Sequence, residues 1–500
     1  MSKKIMWIHL LLLAVTCLVY MSVLNPYGAA TTPDSLQYLN IAQTLKQGFG
    51  YHSSVHYLTE ETLRLSQQRS WPPLYPLVLV LLPEVNSFWV AIASTILLYL
   101  SVVSVYAILQ LMGHNQLMAL LLALLLLLQL PVITVYTFAW SETLFLTLLL
   151  ISIFIMGKIF QTEVLSARGL ISLTIVLIAL AYTRYIGAVF FLNFAILFYI
   201  YNGRISRIKI FAAGLVAVSC FGILLWNNWT ITGYLSGVER QPSQQGWWEN
   251  TYQSYEVLQL AFGSPICLIL FGVLMIFAWK SRENEQQKKH GLKNLLPIIG
   301  INAVVYTAAI IILRAQSGFD QIDIRLLSPA LVLLYLFIAI LVVVRVKTSK
   351  YQKMAAVVAA ILLVPAIYEG LMTLKQIPDN WKTAINPGLK MDRRYAYNNF
   401  TRNDVAEKLM HLLPKEAVLI SDRARIIDHI TGRKTYQLLS DVDEAILFSW
   451  GRLPKGSSFF ITDASLAKKI LSRLNAMEIK FRYVEIAGSI LIQPIFAKEQ

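Results

Sequence analysis

Apolar blocks of 15 to 25 residues, almost free of charge, recur from Ile5 to Thr373 and then stop. A helix rises about 1.5 Å per residue, so about 20 such residues cross the hydrocarbon core of a bilayer. Hydropathy places rough segments at 5–24, 88–112, 117–133, 142–160, 169–183, 186–201, 210–231, 259–279, 294–314, 327–344 and 354–373, about 11 spans. Hydrophobic residues make up 56% of the 500 positions, against about 45–50% in soluble domains. The chain therefore reads as mainly α: a polytopic helical membrane domain over 1–373, with a first outer loop at 25–73. Residues 374–500 have soluble composition and form a second domain.

The formal net charge is +15, which in a soluble protein would suggest nucleic acid. Here its distribution decides otherwise, and no nucleic-acid partner is expected. With the N-terminus inside, the inner loops and their edges hold 16 Lys and Arg, among them Lys3, Lys4, Lys158, Arg204, Arg207, Lys280 and Arg345. The outer loops of the membrane region hold seven. Short inner loops collect Lys and Arg during insertion, so the asymmetry orients the chain. An odd number of spans then puts the tail outside the cytoplasm.

The first residues combine two lysines, an apolar run and small residues at Ala29 and Ala30, which superficially suits a secretory signal. The apolar run exceeds a signal core, so it reads as an uncleaved first span. Cys17, Cys220 and Cys267 all fall inside spans, so no disulfide framework is expected in the outer domain.

Ionisable residues are almost missing at mid-depth, where proton-coupled pumps and many transporters hold them. Glu142, Arg184, Arg314 and Glu369 lie instead near the expected outer helix ends. Two outer loops, Asn25–Trp71 and Thr232–Leu258, are long enough to build a site. In the first, Thr32-Pro33-Asp34 and the apolar positions Leu36, Leu39, Ile41 and Leu45 predict a helix ending at Gly48-Phe49-Gly50. That helix would lie along the membrane surface with its apolar face down. Asp34 would occupy its first turn, a place that suits a helix-stabilising carboxylate as well as a base. His52, His56 and Glu60 share a face on a continuous helix, a zinc-compatible spacing. The intervening Ser53, Ser54, Val55 and Tyr57 favour loop or strand. A divalent metal is conceivable there but unsupported, so no metal site and no firm cofactor is assigned.

The tail alternates β-rich runs (Val418–Ile420, Phe459–Thr462, Tyr483–Ile486, Ile490–Ile492) with helical stretches (Asn403–Leu413, Ser465–Ala476), a small α/β domain. It has neither a Gly-rich phosphate loop nor a triad pattern. An acceptor-binding or lid module and a structural cap both fit it.

Several segments in order look like one family. They are Asp34-Ser-Leu-Gln-Tyr38 through Gly50-Tyr51, Trp71-Pro-Pro-Leu-Tyr-Pro76, Ser141-Glu142, Thr183-Arg184-Tyr185-Ile-Gly187, Trp226-Asn-Asn-Trp229, Phe319-Asp320-Gln-Ile-Asp323-Ile-Arg325 with Ser328-Pro329, and Leu413-Pro414 in the tail. The series resembles the C superfamily of membrane glycosyltransferases that use a polyprenyl-phosphate sugar, which includes protein O-mannosyltransferases and the aminoarabinose transferase of lipid A. The resemblance covers most of the chain, through the order of its motifs rather than any one of them. It implies an essential Asp in the first loop, and Asp34 occupies that position. Many members follow it with a second acid, where this chain has Ser35. The family's usual Arg before the second long loop is replaced by Asn227 and Asn228, with Arg240 further along as a possible substitute.

What the resemblance implies is an inverting sugar transfer at the outer face of the cytoplasmic membrane. Asp34 would serve as base, with Tyr38, Glu142, Arg184, Arg240 and Arg325 as substrate-binding residues. The donor would be a polyprenyl-phosphate sugar, and the acceptor a lipid, a glycan or a protein. Arg184 and Arg325 would hold the leaving phosphate, although a span-end arginine also suits interface anchoring. A lipid-linked saccharide flippase or transporter and an oligosaccharide polymerase are the alternatives.

Overall fold

The computed structural model describes residues 3–26, 28–53, 55–57, 66–67, 71–113, 115–162, 165–201, 203–238, 240, 242–262, 295–318, 321–344, 361–375, 409, 411–413, 417, 419–421, 435–437, 458–461, 464–476, 480–486 and 489–494. They divide into two compact units. The first comprises Met1–Ala29, Arg69–Tyr75 and Ser87–Asp379; the second comprises Ala30–Gln68, Pro76–Asn86 and Asn380–Gln500.

The first unit is helical: α1 (Lys3–Leu24), α4 (Ser87–Leu111), α5 (Gln116–Leu125), α6 (Leu130–Thr137), α7 (Ser141–Phe160), α8 (Ala167–Thr183), α9 (Leu192–Ile200), α10 (Arg204–Thr232), α11 (Trp247–Phe262), α12 (Leu295–Gln316), α13 (Ile324–Val344) and α14 (361–375). The short α2 (Pro33–Lys46) and most of α3 (Leu74–Val80) lie in the second unit. Among the described residues, six helices are long and apolar enough to cross a membrane: α1, α4, α7, α10, α12 and α13. The bent pair α5–α6 makes a possible seventh, and Ala167–Thr183 and Tyr185–Ile200 are shorter apolar helices. Most of the expected span 259–279 and the first part of 354–373 fall outside the described residues. α7 packs between α4 and α8, and α12 packs along α13.

The expected straight span 117–133 is instead broken, with a 60° bend between Gln116–Leu128 and Leu130–Thr137. Pro131 has no N–H to offer the carbonyl of Leu127, and its ring crowds that carbonyl in a continuous helix. The Tyr20 hydroxyl of α1 donates to Leu127 O at 2.8 Å. Tyr335 of α13 donates to Leu122 O in the turn before, where the Leu126 N–H has turned to Leu124 O. Neighbouring helices thus satisfy backbone groups that lipid could not.

In the second unit, α2 starts as its sequence predicts. Thr32 is the N-cap and accepts from Ser35 N at 3.3 Å, Pro33 lies in the first turn, and Gly48 follows with φ +83°. It does not present a single apolar face, however. Ser35, Gln37, Asn40 and Thr44 are as buried as Leu36, Leu39 and Ile41. Thr44 tolerates this because its hydroxyl meets Ile41 O and His52 O at 2.9 and 2.6 Å.

The six-stranded sheet has the order β2-β5-β4-β6-β8-β7. Its strands are β2 (Val55–Tyr57), β4 (Leu419–Ser421), β5 (Thr435–Gln437), β6 (Ser458–Ile461), β7 (Phe481–Ile486) and β8 (Ser489–Pro494). β2, β5, β4 and β6 run parallel, while β8 pairs antiparallel with β6 and β7. Strand alternation sends Phe459, Ile461 and Ile492 to one face, where Leu466, Ala467, Ile470 and Leu474 of α15 (Ala464–Ala476) cover them. Phe460 and Leu491 face the other way, against Leu409, Leu413 and Ala417. His52–Ser53 (β1) and Ser66–Gln67 (β3) form a separate antiparallel pair.

Candidate active site

In the first unit, three motifs far apart in sequence meet at one carboxylate. Glu142 lies in the first turn of α7, 2% exposed, and its Oε1 forms an ion pair with Nη1 of Arg184. The same oxygen stands 3.3 Å from Nε of Arg325, and Ser141 Oγ donates to Oε2 at 3.2 Å. A helix N-terminus favours an acid at this place. Charged groups so deeply buried persist when paired.

Each arginine is fixed by its local backbone. Arg184 caps α8 in extended conformation, with its N–H on Leu180 O at 3.0 Å. The chain then doubles back into a 3-10 turn, Tyr185–Phe191, and Gly187 N donates to Arg184 O at 2.7 Å. A Cβ on Gly187 would fall 2.4 Å from Leu180 O, so only glycine permits this approach. Arg325 lies in the first turn of α13, where Asp323 Oδ1 accepts from Leu326 N at 2.9 Å. Tyr306 of α12 donates its hydroxyl to Leu326 O at 3.1 Å, and its ring stacks on Phe190 with centroids 5.8 Å apart.

Three contributors had no site role in the sequence reading. The Trp140 ring lies 4.9 Å from the Arg325 guanidinium carbon and is itself stacked on Phe138, so Arg325 lies between a carboxylate and an indole face. Its position directly before Ser141-Glu142 was the available signal. Tyr306 is the second. Asn228 is the third, first noted only as the replacement of a familial Arg. It is 2% exposed, and its amide donates to Tyr185 Oη at 2.9 Å and Leu235 O at 3.1 Å. It therefore ties the Trp226–Trp229 segment to the residue following Arg184.

The remaining expected site residues lie elsewhere. Arg240 is exposed in the loop before the bridge between Pro242 and Ser317 and is not part of the Glu142 ion pairs. Arg314, 8% exposed, holds the same loop through Ser243 Oγ at 3.1 Å. In the second unit, Asp34 is half-buried in the first turn of α2, and Tyr38, one turn on, is 2% exposed. His52 and His56 lie in strands rather than on one helix, and Glu60 lies outside the described residues. Among the described residues no group of three or more His, Cys, Asp or Glu is placed to hold a metal.

Neither a protein-family model nor a curated protein matches the sequence. The structure is similar to that of ArnT from Cupriavidus metallidurans bound to undecaprenyl phosphate (TM-score 0.59, 11% identity, 99% of each chain covered). It is equally similar to the apo state of ArnT (TM-score 0.60, 11% identity, 99% of each chain). It is also similar to the oligosaccharyltransferase AglB from Archaeoglobus fulgidus, in complex with an inhibitory peptide and a dolichol-phosphate (TM-score 0.52, 12% identity, 98% of this chain and 74% of that one). This is a multi-span membrane protein with the fold of the membrane glycosyltransferases that its loop motifs resemble.

Proposed function

We propose that the chain is an inverting glycosyltransferase that takes a sugar from a polyprenyl-phosphate donor at the extracytoplasmic face of the cytoplasmic membrane. The observation that carries this reading is the convergence of Arg184 and Arg325 on Glu142 beside Trp140. The fold supports it, being shared with proteins solved bound to undecaprenyl phosphate and to a dolichol-phosphate.

The chemistry follows from charge. As the sugar departs, the donor's phosphate diester becomes a monoester and gains negative charge. Guanidiniums held at one place stabilise that charge without reorganising. Glu142 positions them; it does not react. The acceptor hydroxyl or amine needs a base, and Asp34, half-buried in the first loop, takes that role, with Tyr38 one turn behind it. One base and no enzyme nucleophile gives direct displacement, hence inversion. The acceptor is a lipid, glycan or protein, and Arg240 belongs to the loop that could meet it.

The test uses the purified chain in lipid nanodiscs with labelled polyprenyl-phosphate sugars and a membrane extract as acceptor source. The expected result is acceptor-dependent release of polyprenyl phosphate, with inversion at the anomeric carbon. Movement of unaltered donor across the bilayer, without bond cleavage, would overturn the reading in favour of a flippase.

A further inference from the structure

The second unit contains a connection that the reaction scheme leaves unused. β2, in the first loop, is an edge strand of the sheet whose other strands all come from residues 419–494. Its parallel register is Val55 with Thr435, His56 with Tyr436 and Tyr57 with Gln437. On its N-terminal side the chain is tied directly to α2, since Thr44 Oγ1 donates to His52 O at 2.6 Å. The C-terminal end of α2 is anchored again by Lys46 Nζ, which donates to Leu82 O and Pro83 O at 2.5 and 2.6 Å, and by Gln43 Nε2 on Val85 O at 3.3 Å.

We infer that the pairing of Val55–Tyr57 with Thr435–Gln437 makes the C-terminal sheet a positioning element for the helix that carries Asp34. The inference rests on the proposed role of Asp34 as base. α2 and β2 are separated by few residues, and one of these, His52, is already bonded to α2. Fixing β2 on the sheet therefore limits how far α2 can turn or slide. The strand has three residues and, among the described residues, pairs within the sheet on one side only. It can be detached without removing any interior strand of the sheet. The tail is thus part of the catalytic apparatus without contributing a reacting group. That explains why a domain with neither phosphate loop nor triad pattern accompanies the membrane helices. A base displaced by about 1 Å can lose on the order of a hundredfold in rate, so a small detachment has a large kinetic reading.

The experiment uses the full-length chain in nanodiscs, in a background carrying Cys17→Ala, Cys220→Ala and Cys267→Ala. Val55→Cys with Thr435→Cys places two thiols across neighbouring strands, where Cα separations suit a disulfide. The oxidised protein should transfer sugar within about twofold of the reduced one. In a second arm, Val55→Pro, His56→Pro and Tyr57→Pro are made singly, because alternate residues of the strand direct their N–H toward β5. At least one should lower kcat about tenfold or more with donor KM changed less than about twofold. The inference is overturned if the disulfide does not form, if it forms and abolishes transfer until reduced, or if all three Pro variants keep wild-type kcat. Asp34→Asn, assayed alongside, separates the two ideas. An active Asp34→Asn protein sinks the base assignment. An inactive one beside fully active Pro variants sinks only the positioning role.

Discussion

Ser328 donates its hydroxyl to the carbonyl of Arg325 at 2.8 Å, filling the gap in the helical ladder that Pro329 opens. The N–H that would normally reach Arg325 O belongs to residue 329, and proline has none. One helix thus holds a first-turn arginine, a ladder break four residues on and a hydroxyl that repairs it.

Ser328→Ala removes that repair without changing charge. A buried hydrogen bond contributes about 0.5–1.5 kcal/mol, and a carbonyl left unsatisfied costs about 1–3 kcal/mol. Donor KM should rise several-fold and the melting temperature should fall by a few degrees. Unchanged values of both would mean that Arg325 is positioned by its side-chain contacts alone.

Glu142→Gln keeps the shape and removes the charge that both arginines share. Breaking a buried ion pair by removing one partner typically costs about 3–5 kcal/mol. The variant should melt well below wild type in detergent. Added polyprenyl phosphate should stabilise it more than wild type, because the anion takes over the carboxylate's part. Equal melting temperatures with and without the lipid would argue against a shared anion site.

Gly187→Ala brings a methyl group against Leu180 O, 2.4 Å from the position its Cβ would take. The 3-10 turn must shift, and Arg184 with it. Donor KM should rise at least tenfold, close to the value for Arg184→Ala, while Tyr185→Phe, which keeps the Asn228 donor but loses its acceptor, should do far less. A wild-type KM in Gly187→Ala would show that the turn relaxes without moving the guanidinium.

Orientation is tested by a reporter active only outside the cytoplasm. It should work when fused after Gln500 and fail when fused near Asn284. The reverse pattern would move the proposed chemistry to the other face.

Much of the local structure was legible because it depends on neighbouring residues. Thr32, Pro33 and Gly48 bound α2 through capping, fixed φ and positive φ, each a property of one residue. Leu466, Ala467, Ile470 and Leu474 mark the buried side of α15 by spacing alone. The bend at Gln129 escaped the hydropathy reading because Leu and Pro131 average to an apolar window. The hydrogen-bond ladder, which hydropathy ignores, is what breaks there. The two arginines stood out as charges at helix ends, but Glu142 as their shared partner did not, since nothing local records that α7, α8 and α13 converge. Trp140 was hidden among the aromatics of a membrane protein, and a three-residue strand such as β2 has no pattern long enough to name its partner.

The central claim is that Asp34 removes the acceptor proton, and Asp34→Asn tests it most directly. The amide keeps the size and can still accept hydrogen bonds at a helix start, so folding and membrane insertion should survive. It cannot take up the proton. General-base contributions are about a hundred- to ten-thousand-fold, so sugar transfer by purified, donor-saturated Asp34→Asn protein should fall by at least about a hundredfold, with donor binding unchanged. Transfer at a near wild-type rate would contradict the account and leave Asp34 as a first-turn carboxylate only.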